Sequence, residues 1–438
     1  MILESGQGAA AVPAGVPANR DRLFLAACVS LIVTSMTFAI RAGILTELGN
    51  TFILSDVQLG WVNSMAFLGF PVAMIVGGLI YNKVGPKNLM WVAFFSHMAG
   101  LVLTVFAGDL GPLSGFWGLI ISTFFIGFAN GSVEAACNPM IVDMYPDKQT
   151  EMLNKFHVWF PGGIVIGSLI ANFFGAALGW QGLIWIMVIP TVIYAVLIFG
   201  QEFPRSHNII SDTKENFKGL LNPLYLFMFV CMSLTAATEF STTQWVEKIL
   251  GASGAQPLLV LALVSGLMAT GRFFAGPVIH NLNPAGVLWV SAFLATLGIY
   301  LLSTQSGAMV YVAAIVFALG VCYFWPTMLG FVSEYSPASG ALGLSLMGGI
   351  GMFSMVVWNP VIGGWLEEAT AAATAVGATG AEADLIAGRE TLSSMIWFPI
   401  ILIVLFGGLY FYMKRRPQVP ADEAVLNPKA MSTPGSAR

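Results

Sequence analysis

The stretch Phe116–Tyr145, FWGLIISTFFIGFANGSVEAACNPMIVDMY, sets Glu134 deep inside an apolar run long enough to cross a bilayer. Its other acid, Asp143, stands near the end of the run. A carboxylate at membrane depth costs at least ~2.5 kcal/mol on insertion scales, so such residues face a wet cavity and work there. Glu134 and Asn138 are four residues apart and share one helix face. Pro139 follows and frees a backbone carbonyl just beyond them. The reading is a polar stripe on a kinked membrane helix.

Composition agrees along the whole chain. Its 438 residues are 57% hydrophobic and 9% charged, where a soluble domain carries about 25% charged residues. The class is a polytopic membrane protein. The net charge of −4 is spread out with no basic stripe, which excludes nucleic acid as an expected partner. The four cysteines, Cys28, Cys137, Cys231 and Cys322, lie on separate apolar runs without metal or redox spacing and read as small buried hydrophobes. Residues 1–22 are rich in Gly, Ala and Pro and lack a basic n-region, so a disordered tail is expected there, with no cleaved signal. A second tail is expected over 415–438.

Apolar runs recur near 23–47, 58–82, 87–108, 114–143, 154–178, 181–200, 221–250, 256–280, 284–304, 308–335, 340–366 and 391–414. They predict twelve transmembrane helices in two six-helix bundles, 23–200 and 221–414, joined by a polar linker, 201–220. Arg20, Arg22, Lys83, Lys87, Lys148, Lys155, Arg205, Lys214, Lys218, Lys414, Arg415 and Arg416 fall on one side of this topology. By the positive-inside rule both termini are cytoplasmic. The Ala/Gly/Thr-rich stretch 369–388 then becomes a flexible external loop. The expected location is a cell inner (plasma) membrane, crossed many times.

The halves share short sequences. Pro86–Trp91 and Pro284–Trp289 have the same Pro-to-Trp spacing, Gly77-Gly78 matches Ala275-Gly276, and Gly162-Gly163-Ile164 resembles Gly348-Gly349-Ile350. Six-plus-six repeats imply two bundles that rock about a site at mid-membrane.

Gly78-Leu-Ile-Tyr-Asn82-Lys83-Val-Gly85-Pro86-Lys87 lies between the second and third runs. It resembles the signature loop of the major facilitator superfamily, Gly-x-x-x-Asp-Arg/Lys-x-Gly-Arg-Arg/Lys, with Asn82 for the usual Asp and Pro86 for the usual Arg. The resemblance implies a gating loop of Gly78, Asn82, Lys83, Gly85 and Lys87, in which the first glycine lets helices approach. Further segments resemble the fucose permease-type sugar symporters: Glu134-x-x-x-Asn138-Pro139, Leu153-Asn154-x-x-His157, Glu239 before Trp245, Gly271-Arg272-Phe273, Trp325-Pro326-Thr327, and Met347–Ile350 before Pro360. That family implies alternating-access uptake of a monosaccharide or close derivative, coupled to protons or, in some members, sodium. Its essential acid in the first span is absent here; Phe38-Ala-Ile-Arg41-Ala-Gly43 supplies a cation instead. A charged substrate is thereby admitted, an organic anion or sugar acid with Arg41 and Arg272 as clamp. The scaffold implies a monomer in the lipid bilayer.

Glu134 is the expected proton-coupling residue, tuned by Asn138 or His157. Arg41 snorkels to the outer interface, neutralises Glu134, or clamps a carboxylate or phosphate. Arg272 holds substrate or makes a structural ion pair. Asn63, Asn138, His157, Glu239, Gln244, Trp245, Trp325 and Asn359 fall on helices that line such cavities, and amides with aromatics suit a sugar. His97 has no polar company in sequence and reads as structural. There is no Walker loop, zinc His-Glu-x-x-His, nucleophile elbow or dinucleotide fingerprint, so no enzyme, metal or cofactor is expected.

Overall fold

The computed structural model describes residues 17, 19–145, 152, 155–204 and 213–415, and in that range the chain is all helix and connecting turns. The helices are α1 (Arg20–Phe52), α2 (Asp56–Val105), α3 (Phe116–Met144), α4 (Trp159–Ile198), α5 (Thr213–Leu220), α6 (Pro223–Gln244) and α7 (Val246–Leu250). They are followed by α8 (Pro257–Phe273), α9 (Ala275–Thr304), α10 (Met309–Val321), α11 (Phe324–Tyr335), α12 (Gly340–Ala375), α13 (Ala381–Met395) and α14 (Trp397–Arg415). Among the described residues, ten helices are long and apolar enough to cross a membrane. The expected runs 154–178 and 181–200 follow one another within the apolar stretch Lys155–Ile198 and are separated by a non-helical Gly179 (φ 62, ψ 175), and run 256–280 yields only the shorter Pro257–Phe273. Residues 1–16, 18 and 416–438 of the expected tails, Lys148, Asn154, Arg205, and the side chains of Asn82 and Lys214 lie outside what is described, while α1 already begins at Arg20.

Breaks inside the long helices follow local chemistry. Gly85 (φ 77, ψ 161) interrupts α2 just before Pro86, and Asn283 (φ 53, ψ 162) interrupts α9 just before Pro284. A residue before proline is driven out of the α region, and positive φ suits glycine and is tolerated by asparagine. The sequence match at these two prolines is thus also a match of backbone.

Close packing positions Glu134. Gly127-Phe-Ala-Asn-Gly131 is a small-xxx-small face on α3. A Cβ on either glycine would strike the backbone carbonyl of Ala66 or Phe70 on α2. The α2–α3 pair is therefore fixed, and Glu134 follows Gly131 by three residues. In the loop motif the tight glycine is Gly77, not Gly78: a Cβ on Gly77 would come 2.7 Å from Ala135 Cβ, while one on Gly78 would meet only Ser345 Oγ at 3.7 Å.

Two expectations, the loop at 369–388 and the isolation of His97, are corrected. The stretch 369–388 is mostly helical: α12 runs to Ala375, α13 starts at Ala381, and Ala373, Ala378 and Ala383 pack together. Alanine is the best helix former, which a loop reading of that composition overlooks. The linker contains α5, whose Gly219 seats against the Ala338–Ser339 backbone. His97 does have polar company, bonding Asn130 Oδ1 (2.8 Å) and the Tyr194 hydroxyl (3.1 Å), while Asn130 donates to Thr37 (3.0 Å). This buried network ties α1, α2, α3 and α4. All four cysteines are free and buried, as expected.

At the end of the bundle away from the chain termini, here the far end, helices from the two halves of the chain meet. Lys248 Nζ pairs with Asp56 Oδ1 at 2.7 Å, and the Val57 N–H donates to Glu367 Oε1 at 3.0 Å. Gly60 abuts the Asn359 backbone and Gly363 that of Asp56.

Candidate functional site

The candidate residues form two polar clusters at different depths. The cluster nearer the far end centres on Arg41, which is 5% exposed. Its Nε donates to Asn63 Oδ1 (3.0 Å) and its Nη2 to Gln244 Oε1 (2.6 Å). The guanidinium carbon lies 5.0 Å from the Phe38 ring centre and 5.4 Å from that of Phe67. Among the described residues, no carboxylate pairs with it. The snorkelling and Glu134-pairing readings are both replaced by an arginine sealed inside with neutral partners. The amide nitrogens of Asn63 and Asn359 are buried without a hydrogen-bond partner. Trp245 is fully buried at the break between α6 and α7 and donates from Nε1 to Asn359 Oδ1 at 3.0 Å, so it is no interface-belt residue.

The second cluster lies toward the termini. Asn138 Nδ2 donates to Glu134 Oε2 (2.8 Å), and His157 Nε2 sits 3.1 Å from Asn138 Oδ1 and 3.9 Å from Glu134 Oε2. Since Asn138 Oδ1 accepts, the geometry reads His157 Nε2–H to Asn138 to Glu134, a relay of donors ending on the carboxylate. Glu134 is 8% exposed, while Asn138 and His157 keep partial exposure. Across from them, Arg272 donates from Nε to the Cys322 carbonyl at 2.9 Å, where the chain breaks between α10 and α11. Tyr323 returns a bond to the Gly271 carbonyl at 3.0 Å. One edge of the guanidinium thus holds the helix break. Arg41 and Arg272 belong to separate clusters and do not form one clamp here.

Between the clusters lies an aromatic layer that sequence reasoning missed. Phe38, Phe67 and Phe240 touch one another with centroids 5.4–6.0 Å apart, Phe160 joins Phe38 at 5.6 Å, and Trp325 joins Phe240 at 6.3 Å. A signal existed: each of Arg41, Asn63 and Gln244 has a phenylalanine three or four residues away, one helical turn toward the termini. Of the gating loop, Gly85 takes the left-handed turn, and Lys83 and Lys87 are exposed.

A helical bundle with unshared polar groups buried at its centre, no metal cluster among the described residues and apolar outer faces defines a membrane carrier. The chain belongs to the Major Facilitator Superfamily, whose sequence model matches residues 23–359. It is a secondary transporter, not an enzyme. Among its relatives, the cis,cis-muconate transport protein of Acinetobacter baylyi is 25% identical over 40% of this chain, a match that spans only 41% of that relative. The hexuronate transporter of Bacillus subtilis is 22% identical over 65% of this chain and 74% of its own length. The fold is shared with a bacterial homolog of the human lysosomal transporter Spinster, solved inward-facing and unoccupied: TM-score 0.73, 16% identity, 92% of this chain and 99% of that one.

Proposed function

We propose that this transporter imports a small organic anion, a carboxylate, by proton-coupled alternating access. The observation that carries the reading is Arg41, a buried guanidinium held by two neutral amides with no acid paired to it among the described residues. A buried charge without a counter-ion is costly, and a carboxylate substrate supplies the missing partner in the bidentate geometry that a guanidinium fork favours. The unpartnered Asn63 amide adds a donor next to it. Donors gathered without an acid make an anion site. Both relatives named above bear the names of carboxylate substrates.

Glu134 is the proton site. Asn138 donates to it and His157 lies behind Asn138, so the carboxylate is tied to groups that keep partial exposure. Coupling follows if the bundle reorients when both substrate and proton are bound, or neither, but not when one is missing. The basic residues Lys83, Lys87, Lys414 and Arg415 support, by the positive-inside rule, a reading in which the termini face the cytoplasm of a bacterial-type inner membrane and the far end faces outside. On this reading the far-end contacts close the carrier to the outside. The protein works as a monomer of two rocking bundles, roughly 23–200 and 221–414.

Neutral monosaccharide import is the second reading. It is favoured by the amide set Asn63, Asn138, Gln244 and Asn359, and by the likeness of the span-four motif to the fucose permease-type symporters. A sugar acid satisfies both readings. Proteoliposome uptake of labelled glucuronate, 3-phenylpropionate and glucose, with and without an inward proton gradient, tests this directly. Acid accumulation that needs the gradient and vanishes in Arg41→Gln is expected. Accumulation of glucose alone overturns the anion reading.

A further inference from the structure

We propose that the carried anion has a flat, aromatic or conjugated body adjoining its carboxylate; this rests on the anion-carrier reading above. The groups that would hold the carboxylate are Arg41, Asn63 and Gln244, on α1, α2 and α6. Each has a phenylalanine one turn nearer the termini: Phe38, Phe67 and Phe240, exposed by 1%, 0% and 4%. The first two already lie against the guanidinium face, at 5.0 and 5.4 Å. A carboxylate on the free part of the guanidinium and on the Asn63 amide therefore has these rings as its nearest apolar neighbours, and its body would lie against them once they part.

Sequence order along the helices sets what lies on either side. The amides stand on the far-end side of the ring layer, and Glu134, Asn138 and His157 on the side of the termini, past Phe160 and Trp325. A sugar acid seated on Arg41 would turn three or four hydroxyls toward the faces of Phe38, Phe67 and Phe240, which offer them no hydrogen bond; polar groups left unpaired are strongly rejected. A benzene ring or a conjugated chain instead exchanges ring–ring contacts for ring–substrate contacts in the same geometry. A polar substituent at the distal end of such a body would reach the Asn138–His157 pair. The layer is closed in this conformation, so substrate enters by parting it as the far end opens. The rings thus serve as both seal and recognition surface.

The test is direct binding by calorimetry to the full-length protein in lipid nanodiscs, with 3-phenylpropionate, sorbate, glucuronate and glucose as probes. The first two are expected to bind at least tenfold tighter than glucuronate. Phe67→Leu and Phe240→Leu, which keep bulk but remove the ring, are expected to cut that preference about fivefold to tenfold, the scale of one aromatic contact. If either variant fails to elute as a folded monodisperse species, the wild-type ratio decides. Glucuronate binding as tightly as the flat acids overturns this inference and leaves the anion reading standing. Glucose binding alone overturns both.

Discussion

Arg41 and Glu134 are both buried ionisable residues, yet their surroundings differ in kind. Glu134 has donors aimed at it, Asn138 directly and His157 through Asn138, so its charge is served in place. Arg41 has acceptors on two edges but no negative charge, so its charge awaits one. Arg41→Lys should therefore lose nearly as much uptake as Arg41→Gln, at least a hundredfold, because an ammonium cannot keep both amides and a carboxylate in one plane. Uptake at subsaturating substrate reads this. Glu134→Gln should keep substrate exchange across the membrane but abolish accumulation against a gradient, and counterflow beside gradient-driven uptake separates the two. A second acid, Glu247 on α7, lies outside the spans; burial and then neighbouring Glu47 push its carboxyl up to about 7. The folded protein therefore holds that proton more tightly than the unfolded chain does. The resulting stability is full below about pH 4.5 and is lost as pH rises through about 7. Glu247→Gln should flatten the fall in melting temperature between pH 5 and 8. The polar members of the site were legible in sequence, because charge and amides are rare in apolar runs. Their partners were not. Arg41 pairs with Gln244, 203 positions away, and nothing local announces it.

Helices were readable as elements because length and apolar content alone decide them. Where they end was less so. Gly85 and Asn283 each sit before a proline at positive φ, and their ψ angles are nearly the same, 161° and 162°. Glycine bears that conformation freely; asparagine is strained by it, although its Oδ1 recovers a bond from the Gly286 N–H at 2.9 Å. Gly85→Ala should thus cost about 1–3 kcal/mol in a reversible unfolding assay. Asn283→Gly should be neutral or stabilising, and Asn283→Ala should be worse than either parent, losing the bond while keeping the strain. Equal melting temperatures for the two Asn283 variants would remove the strain argument. The Ala-rich stretch 369–388 misled for the opposite reason: small residues without an apolar stripe resemble a loop, but alanine needs only a neighbouring helix to stay helical.

For the whole molecule, the superfamily was legible from one loop and the order of scattered motifs, while the relation between its two halves was not, because it rests on contacts between distant segments. Those contacts gather at the far end. Lys248–Asp56 joins α7 to α2, Glu367 of α12 caps the first turn of α2, and Arg41–Gln244 joins α1 to α6 deeper inside. Lys248 and Asp56 keep only 22% and 18% side-chain exposure, so solvent screens them less than a surface pair. If these bonds hold the far end shut, removing one should shift the population toward the far-end-open state, by on the order of fivefold for about 1 kcal/mol. Spin labels on Leu113→Cys and Val376→Cys, both exposed at the far end, can report it, and the native cysteines are buried enough not to compete. In nanodiscs the distance distribution should gain a longer component in Lys248→Gln. Asp56→Asn should give the same component, and the double variant should add little, since the two residues share one bond. Substrate reaches Arg41 by parting the ring layer as the far end opens, so saturating substrate should lengthen the distance in the wild type as well. Unchanged distances in both single variants would mean that the glycine-mediated packing of Gly60 and Gly363, rather than the ion pair, keeps that end closed.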